Sequence, residues 1–129
     1  MVVDASILVA LLLRRTELDP IERRLSSSSG KLHAPYLLDI EVTNAIRRHV
    51  RLGTLSDDAG RRALGVLAAF PAERHAHGFL LPRISSLRHN ISAYDAAYVA
   101  LAEWFDTPLL TRDVRLANAG GHAARIERV

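Results

Sequence analysis

The 129-residue chain has no cysteine. Disulfides, thiolate nucleophiles and cysteine-based zinc sites are therefore excluded, and the composition suits a reducing cytoplasm. Lysine is nearly absent as well. Lys31 is the only one, so almost all positive charge is arginine, at a net charge of +3 and a sequence pI near 9.9. Aromatic residues make up only 5% of the chain. Long apolar runs are missing: Ile7 to Leu13, the longest, is far short of the ~20 residues that span a bilayer. Asp4 also stands where a signal peptide carries basic residues. What is present, 49% hydrophobic and 24% charged residues, reads as globular and as one domain over residues 1–129.

Against this background four acids stand out, because each interrupts an apolar segment. Asp4 follows Met1-Val2-Val3. Glu41 lies within Leu37-Leu38-Asp39-Ile40-Glu41-Val42. Asp95 lies within the apolar stretch Ile91 to Ala102, and Asp113 closes Leu109-Leu110-Thr111-Arg112-Asp113. A carboxylate is costly to bury unless something pairs with it. Four such residues suggest one shared positive partner, and oxygen-only ligation suits a hard divalent cation, Mg²⁺ or Mn²⁺. Ser6 and Thr111 each stand two residues from a candidate ligand. Their hydroxyls would orient a ligand or cap a helix locally.

The pattern along the chain predicts alternating strands and helices. Met1 to Val3 reads as a buried strand and Asp4 to Arg15 as a helix. Asp19-Pro20-Ile21 starts a second helix with Asp19 as N-cap, and Ser26 to Gly30 is a loop. Leu32 to Ala34 reads as a short strand. Tyr36 to Leu52 reads as a helix with Ile40, Ala45, Ile46 and Val50 in the core and Gly53 just beyond it. Ser56 caps a further helix to about Phe70, forming a helical hairpin that exposes Arg47, Arg48, Arg51, Arg61 and Arg62. Glu73 to His77 reads as a weak strand, Pro82 to His89 as a short helix, Ser92 to Phe105 as a strongly apolar helix and Thr107 to Thr111 as a buried strand. Val114 to Asn118 is a helical turn and Arg125 to Val129 a last strand. Such alternation argues for an α/β fold on a mostly parallel sheet, whose ligands bind beyond the carboxyl ends of the strands. Asp4 and Asp113 follow strands there, and Glu41 and Asp95 lie in the first turns of helices.

Each acid also has a purely structural reading. Asp4 and Asp113 would cap the helices that follow them, Asp95 would complete a capping box with Ser92, and Glu41 would be an acid favoured by the helix dipole. Asp39 is ambiguous, being two residues from Glu41. His75-Ala-His77 would put two imidazoles on one strand face without a third ligand nearby. Tyr94 and Tyr98, flanking Asp95, read as core residues. The arginine doublets Arg14-Arg15, Arg23-Arg24, Arg47-Arg48 and Arg61-Arg62 read either as a solvated helix surface or as contacts for an anionic partner.

Val2-Val3-Asp4-Ala5-Ser6, Pro35 to Ala45 with Glu41 and Asn44, Ser92-Ala-Tyr-Asp95-Ala-Ala-Tyr-Val-Ala and Leu110-Thr111-Arg-Asp113 together resemble the four acidic motifs of PIN-domain ribonucleases. The resemblance is greatest to the VapC toxins of bacterial toxin–antitoxin pairs, and it covers nearly the whole chain in order. It implies a PIN-like three-layer α/β fold and a Mg²⁺-dependent endoribonuclease acting on RNA such as tRNA or rRNA. Asp4, Glu41, Asp95 and Asp113 would be catalytic and metal-binding, with Ser6 and Thr111 in support. It further implies a homodimer and a VapB-like antitoxin over the helical hairpin. The family often carries one more acid shortly after the position of Asp113, and Val114 to Asn118 has none.

Two other classes match part of this pattern. Phosphoaspartyl enzymes also end a first strand in Asp, but dehalogenase-like phosphatases want a second Asp where this chain has Ser6, and receiver domains want an early acidic pair and a late lysine. A non-catalytic RNA- or partner-binding module of the same fold is the other, although a degenerate member should lack part of the quartet, and all four acids are here.

Overall fold

A computed structural model describes residues 1–14 and 18–129. Its centre is a five-stranded sheet of β1 (Val2–Val3), β2 (Leu32–Pro35), β3 (Ala72–His75), β4 (Leu109–Thr111) and β5 (Ile126–Arg128). Every pairing is parallel, in the order β3-β2-β1-β4-β5. Parallel neighbours need crossover connections, and helices supply them. Helices α1 (Ala5–Leu13) and α2 (Asp19–Ser26) join β1 to β2, and α3 (Leu37–Arg51) and α4 (Asp57–Ala69) join β2 to β3. Helices α5 (Leu81–Ser86) and α6 (Ala93–Trp104) carry the chain from the β3 edge to β4, and α7 (Val114–Ala117) leads to β5. Helices α1, α3 and α4 pack on one another, and α5 packs on α6.

The central strands are covered on both faces. Val2, Val3, Leu109 and Leu110 are all buried, which is why these segments are unbroken apolar runs rather than alternating ones. The strand order reverses direction between β1 and β4. In open parallel sheets that is the crevice where ligands bind, and the two neighbouring strands end in Asp4 and Thr111.

The elements fall where the sequence pattern puts them, with corrections at their ends. Helix α1 ends at Leu13, with Arg14 left-handed at φ 45°; Arg15, which the pattern includes in this helix and in an arginine doublet, lies outside the described residues. Asp19 is the first residue of α2 and not its cap. Leu18 holds the cap position, and Ser26 still belongs to the helix. In α3 the apolar stripe runs through Leu38, Val42 and Ile46, four residues apart, so Ile40 on the opposite side is 69% exposed and is not core; Ala45 and Val50 are half-buried. Ser56 does cap α4, accepting the Ala59 N–H. Gly60 lets α4 approach α3 closely, because a Cβ there would stand 2.8 Å from the Val50 side chain. Gly53, with φ 70°, turns the chain between the two helices.

Strand β3 ends at His75, so His77 is not on it; His77 precedes a short 3₁₀ turn. The short helix expected over Pro82 to His89 is α5, which ends at Ser86. The strand expected from Thr107 begins only at Leu109. Among the described residues, no helix is long and apolar enough to cross a membrane.

Candidate active site

The register of β1 and β4 builds the centre of the site. Val3 pairs with Leu110, and the Asp4 N–H donates to the Leu110 carbonyl at 3.0 Å. Asp4 and Thr111 are thereby brought side by side at the carboxyl edge of the sheet. The Thr111 hydroxyl donates to Asp4 Oδ2 at 2.7 Å, and the Ser6 hydroxyl donates to the same oxygen at 2.6 Å. Both hydroxyls accept a main-chain N–H in return, Ser6 from Arg112 and Thr111 from Asp113. Each hydroxyl has one proton, and the short distances to Asp4 Oδ2 favour giving it there over the 3.4 Å contact between the two hydroxyls.

Asp4 is 7% exposed, and its side chain makes no cap bond to α1 although it occupies the N-cap position. The capping alternative therefore fails for this residue. Both hydroxyl bonds fall on Oδ2.

The other acids combine capping with proximity. Asp113 caps α7, accepting from the Arg115 and Leu116 N–H groups, and its second oxygen lies 3.6 Å from the Arg115 guanidinium. Asp95 sits in the first turn of α6. The Ser92 hydroxyl accepts its N–H and donates to its carboxylate at 2.9 Å. Glu41 differs from its expected place. It is the fifth residue of α3, past the first turn, where Asp39 stands instead. It is tied across the site by the Tyr98 hydroxyl, which donates to Glu41 Oε2 at 2.5 Å.

These carboxylates feel one another. Burial raises the pKa of Glu41 above the ordinary carboxylate value, the Tyr98 bond opposes the rise, and the charges of Asp4 and Asp95 add to it. Burial likewise raises Asp95, with Ser92 opposing and Asp4 and Asp113 adding to it. A cation held beside Glu41 and Asp95 would oppose both rises. Among the described residues, the trio of potential ligands with donor atoms all within 4.8 Å of one another is His33, Glu73 and His75, not any three of these acids. Glu41 and Asp95 each lie near enough to Asp4 to feel its charge, and Asp95 feels Asp113 as well. Mg²⁺ keeps several waters and takes one or two carboxylates directly, so it does not need three of them in contact.

Two grooves flank the site. One of about 410 Å³ runs past Glu41, Ile40, Asn44, Arg47 and Tyr94. Tyr94 is exposed there and is not the core residue its sequence context suggests, whereas Tyr98 is fully buried. The other, of about 430 Å³, lies between α3 and α4 and is lined by Arg47, Arg48, Arg51, Arg61, Val50 and Leu64.

The structure also resolves Asp39. It pairs with Arg74 of β3 at 2.9 Å, while the same guanidinium donates to the Leu67, Phe70 and Ala72 carbonyls. Asp39 belongs to the frame and not to the site. Arg74 is a residue that the sequence pattern does not single out, and Tyr98, read from it as core and buried as expected, has in addition a bond to Glu41 that the pattern does not show. Tyr98 had one usable signal, its position three residues after Asp95 on a helix, which places both on one face.

Residues 1–121 match the PIN domain family. The chain is 41% identical over 129 residues to ribonuclease VapC1 of Mycobacterium tuberculosis, covering 99% of this chain and 96% of that protein. It is 40% identical over 119 residues to VapC ribonuclease Mb0985 of Mycobacterium bovis, covering 92% and 90%. The crystal structure of VapBC2 from Rickettsia felis, bound to a DNA fragment from their promoter, aligns with a TM-score of 0.73 over 99% of this chain and 97% of that one. At 10% identity this last likeness is one of fold.

Proposed function

The chain belongs to the PIN-domain family of VapC-type ribonucleases, and on that premise we propose that it hydrolyses RNA phosphodiester bonds with Mg²⁺, or Mn²⁺, held among Asp4, Glu41, Asp95 and Asp113. The observation that carries this reading is Asp4, buried at the carboxyl edge of the sheet with Oδ2 held by Ser6 and Thr111, and close enough to Glu41 and Asp95 for its charge to add to the rise that burial gives their carboxyls. A bound Mg²⁺ supplies acidification of a water and stabilisation of the charge that develops on phosphate.

The chain's own groups do the rest. Ser6 and Thr111 hold Asp4 Oδ2 and so orient the carboxylate. Asp95 and Asp113 are held by Ser92 and by the α7 N-terminus. Glu41 keeps Oε1 free while Tyr98 occupies Oε2, and its raised pKa suits it to accept the proton of the attacking water. Tyr94 offers a ring on which an unpaired base stacks, and Arg47 and Arg112 offer contacts to the backbone phosphates. The substrate class we assign is structured RNA with an accessible single-stranded segment, such as tRNA or rRNA.

By the same reading residues 1–129 act as one cytoplasmic PIN-like domain, a homodimer, and the toxin of a toxin–antitoxin pair. The arginine-rimmed groove between α3 and α4 is the seat we assign to a VapB-like antitoxin, whose acidic side chains would pair with Arg47, Arg48, Arg51 and Arg61.

The test is cleavage of defined tRNA and rRNA fragments by protein purified alongside an Asp4→Ala variant. Cleavage should require Mg²⁺ or Mn²⁺, stop in EDTA and be absent from the variant. An Asp4→Ala protein that cleaves as fast as the parent would remove the assignment.

A further inference from the structure

A second cluster of side chains lies away from the acids, near the opposite end of α6. His33 lies on β2, in register with Glu73 on β3, and His75 follows Glu73 by two residues. Residues in register on parallel strands share a face, as do residues two apart on one strand. All three side chains therefore stand on one face of the sheet, with donor atoms within 4.8 Å of one another. His33 Nδ1 and His75 Nε2 are 3.0 Å apart. Phe105, just beyond the end of α6, stacks on the His33 ring at 4.4 Å and 15° and meets the His75 ring at 4.9 Å. Ten residues of helix separate Phe105 from Asp95, about 15 Å along the axis.

We infer that His33, Glu73 and His75 form a second metal site, for Zn²⁺ or a similar transition ion, distinct from the acidic quartet. The donor set decides the ion. Two imidazoles and one carboxylate suit zinc and its neighbours, whereas four carboxylates suit Mg²⁺. The spacing agrees, because two nitrogens each ~2.0–2.1 Å from a tetrahedral ion stand about 3.3 Å apart, a few tenths of an ångström beyond the present contact. The Phe105 ring fixes the His33 plane and shields that side from water. Three protein ligands leave a fourth position for water. Lys31, 3.4 Å from Glu73 and well exposed, is a weak competitor for that carboxylate.

The consequence is mechanical. The ion clips β3, at the edge of the sheet, to β2, and β2 runs through Pro35 straight into α3, which carries Glu41. Zinc binding would thus stiffen the platform of one acid without touching it.

The experiment uses tag-free protein stripped of metal, titrated with Zn²⁺ by calorimetry near neutral pH, with Co²⁺ absorption reporting a tetrahedral nitrogen-containing site. One Zn²⁺ per chain is expected, with an Asp4→Asn variant binding equally well. His75→Ala should weaken binding by about 10- to 100-fold. His75→Gln, which keeps a polar side chain but ligates poorly, should do the same while leaving the circular dichroism spectrum unchanged. The melting temperature of the parent, but not of His75→Gln, should rise with Zn²⁺. No binding up to about 100 μM Zn²⁺, or binding that Asp4→Asn abolishes and His75→Gln leaves intact, would overturn the proposal.

Discussion

The buried hydroxyl of Tyr98 donates a 2.5 Å hydrogen bond to Glu41 Oε2, joining α6 to α3 across the acidic site. Burial, with the Glu41 charge, raises the Tyr98 pKa far above its usual value, so the phenol stays a donor at every working pH. Glu41 is therefore an acid whose orientation is set by a residue from a different helix.

Replacing Tyr98 by Phe keeps the packing and removes the donor. Stability should fall by about 1 kcal/mol, the usual net worth of one such bond. Cleavage should fall by roughly 10-fold through loss of Glu41 orientation. Because the bond opposes the rise of the Glu41 pKa, the acidic limb of the pH–rate profile should move to higher pH. A profile that stays in place would show that Glu41 is not the titrating group.

Ser6→Ala and Thr111→Val each delete one of the two hydroxyls that hold Asp4 Oδ2. Each should weaken Mg²⁺ by about 10-fold, the lower end for loss of an outer-shell partner. High Mg²⁺ should restore part of the rate. The double variant should be less than additive, since both act on one oxygen. Titration of activity against Mg²⁺ checks this.

The raised carboxyls make stability depend on pH in a stated direction. Glu41 and Asp95 hold protons in the folded protein at pH values where the unfolded chain has released them. Folding is thus favoured at low pH, and without divalent metal the contribution is lost as pH rises from the ordinary carboxylate range through the raised folded values. Melting curves in EDTA should show this decline. Mg²⁺ at 100 times its Kd should recover about 2.7 kcal/mol by binding only the folded state. Activity should rise through the same window, because the ionised carboxylates hold the metal.

Tyr94→Ala tests the proposed stacking platform. The ring is exposed beside Asp95, so folding should be unaffected. KM for RNA should rise by roughly 10-fold, the value of one base–aromatic stack, with kcat little changed. An unchanged KM would remove Tyr94 from the binding surface.

Arg74→Ala should destabilise the fold by about 1–2 kcal/mol, because it removes a donor shared by the Leu67, Phe70 and Ala72 carbonyls and the Asp39 carboxylate, although Leu67 and Phe70 keep main-chain partners and Asp39 is part-exposed. The effect should be measurable by chemical denaturation, and Mg²⁺ affinity should survive in the folded fraction.

The amino-acid sequence alone determined the class of fold and where along it the four acids stand. Val2-Val3 and Leu109-Leu110 are apolar on both faces, which only central strands of a covered sheet tolerate, and acids following such strands must lie at their carboxyl edge. Those are properties of one segment, and composition and spacing report them. The partners of each acid are properties of two segments. That Asp4 is held by Thr111 depends on the register of β1 on β4, 107 residues apart in sequence. That Glu41 faces Tyr98 depends on α3 meeting α6, and that Asp39 serves Arg74 depends on α3 reaching β3. The histidines show the same division. Alternation along one strand suggested the pair His75 and His77, but β3 stops at His75, and its companion comes from the neighbouring strand as His33. Spacing within a segment is fixed by covalent geometry, whereas the meeting of side chains from distant segments is fixed only when the core packs.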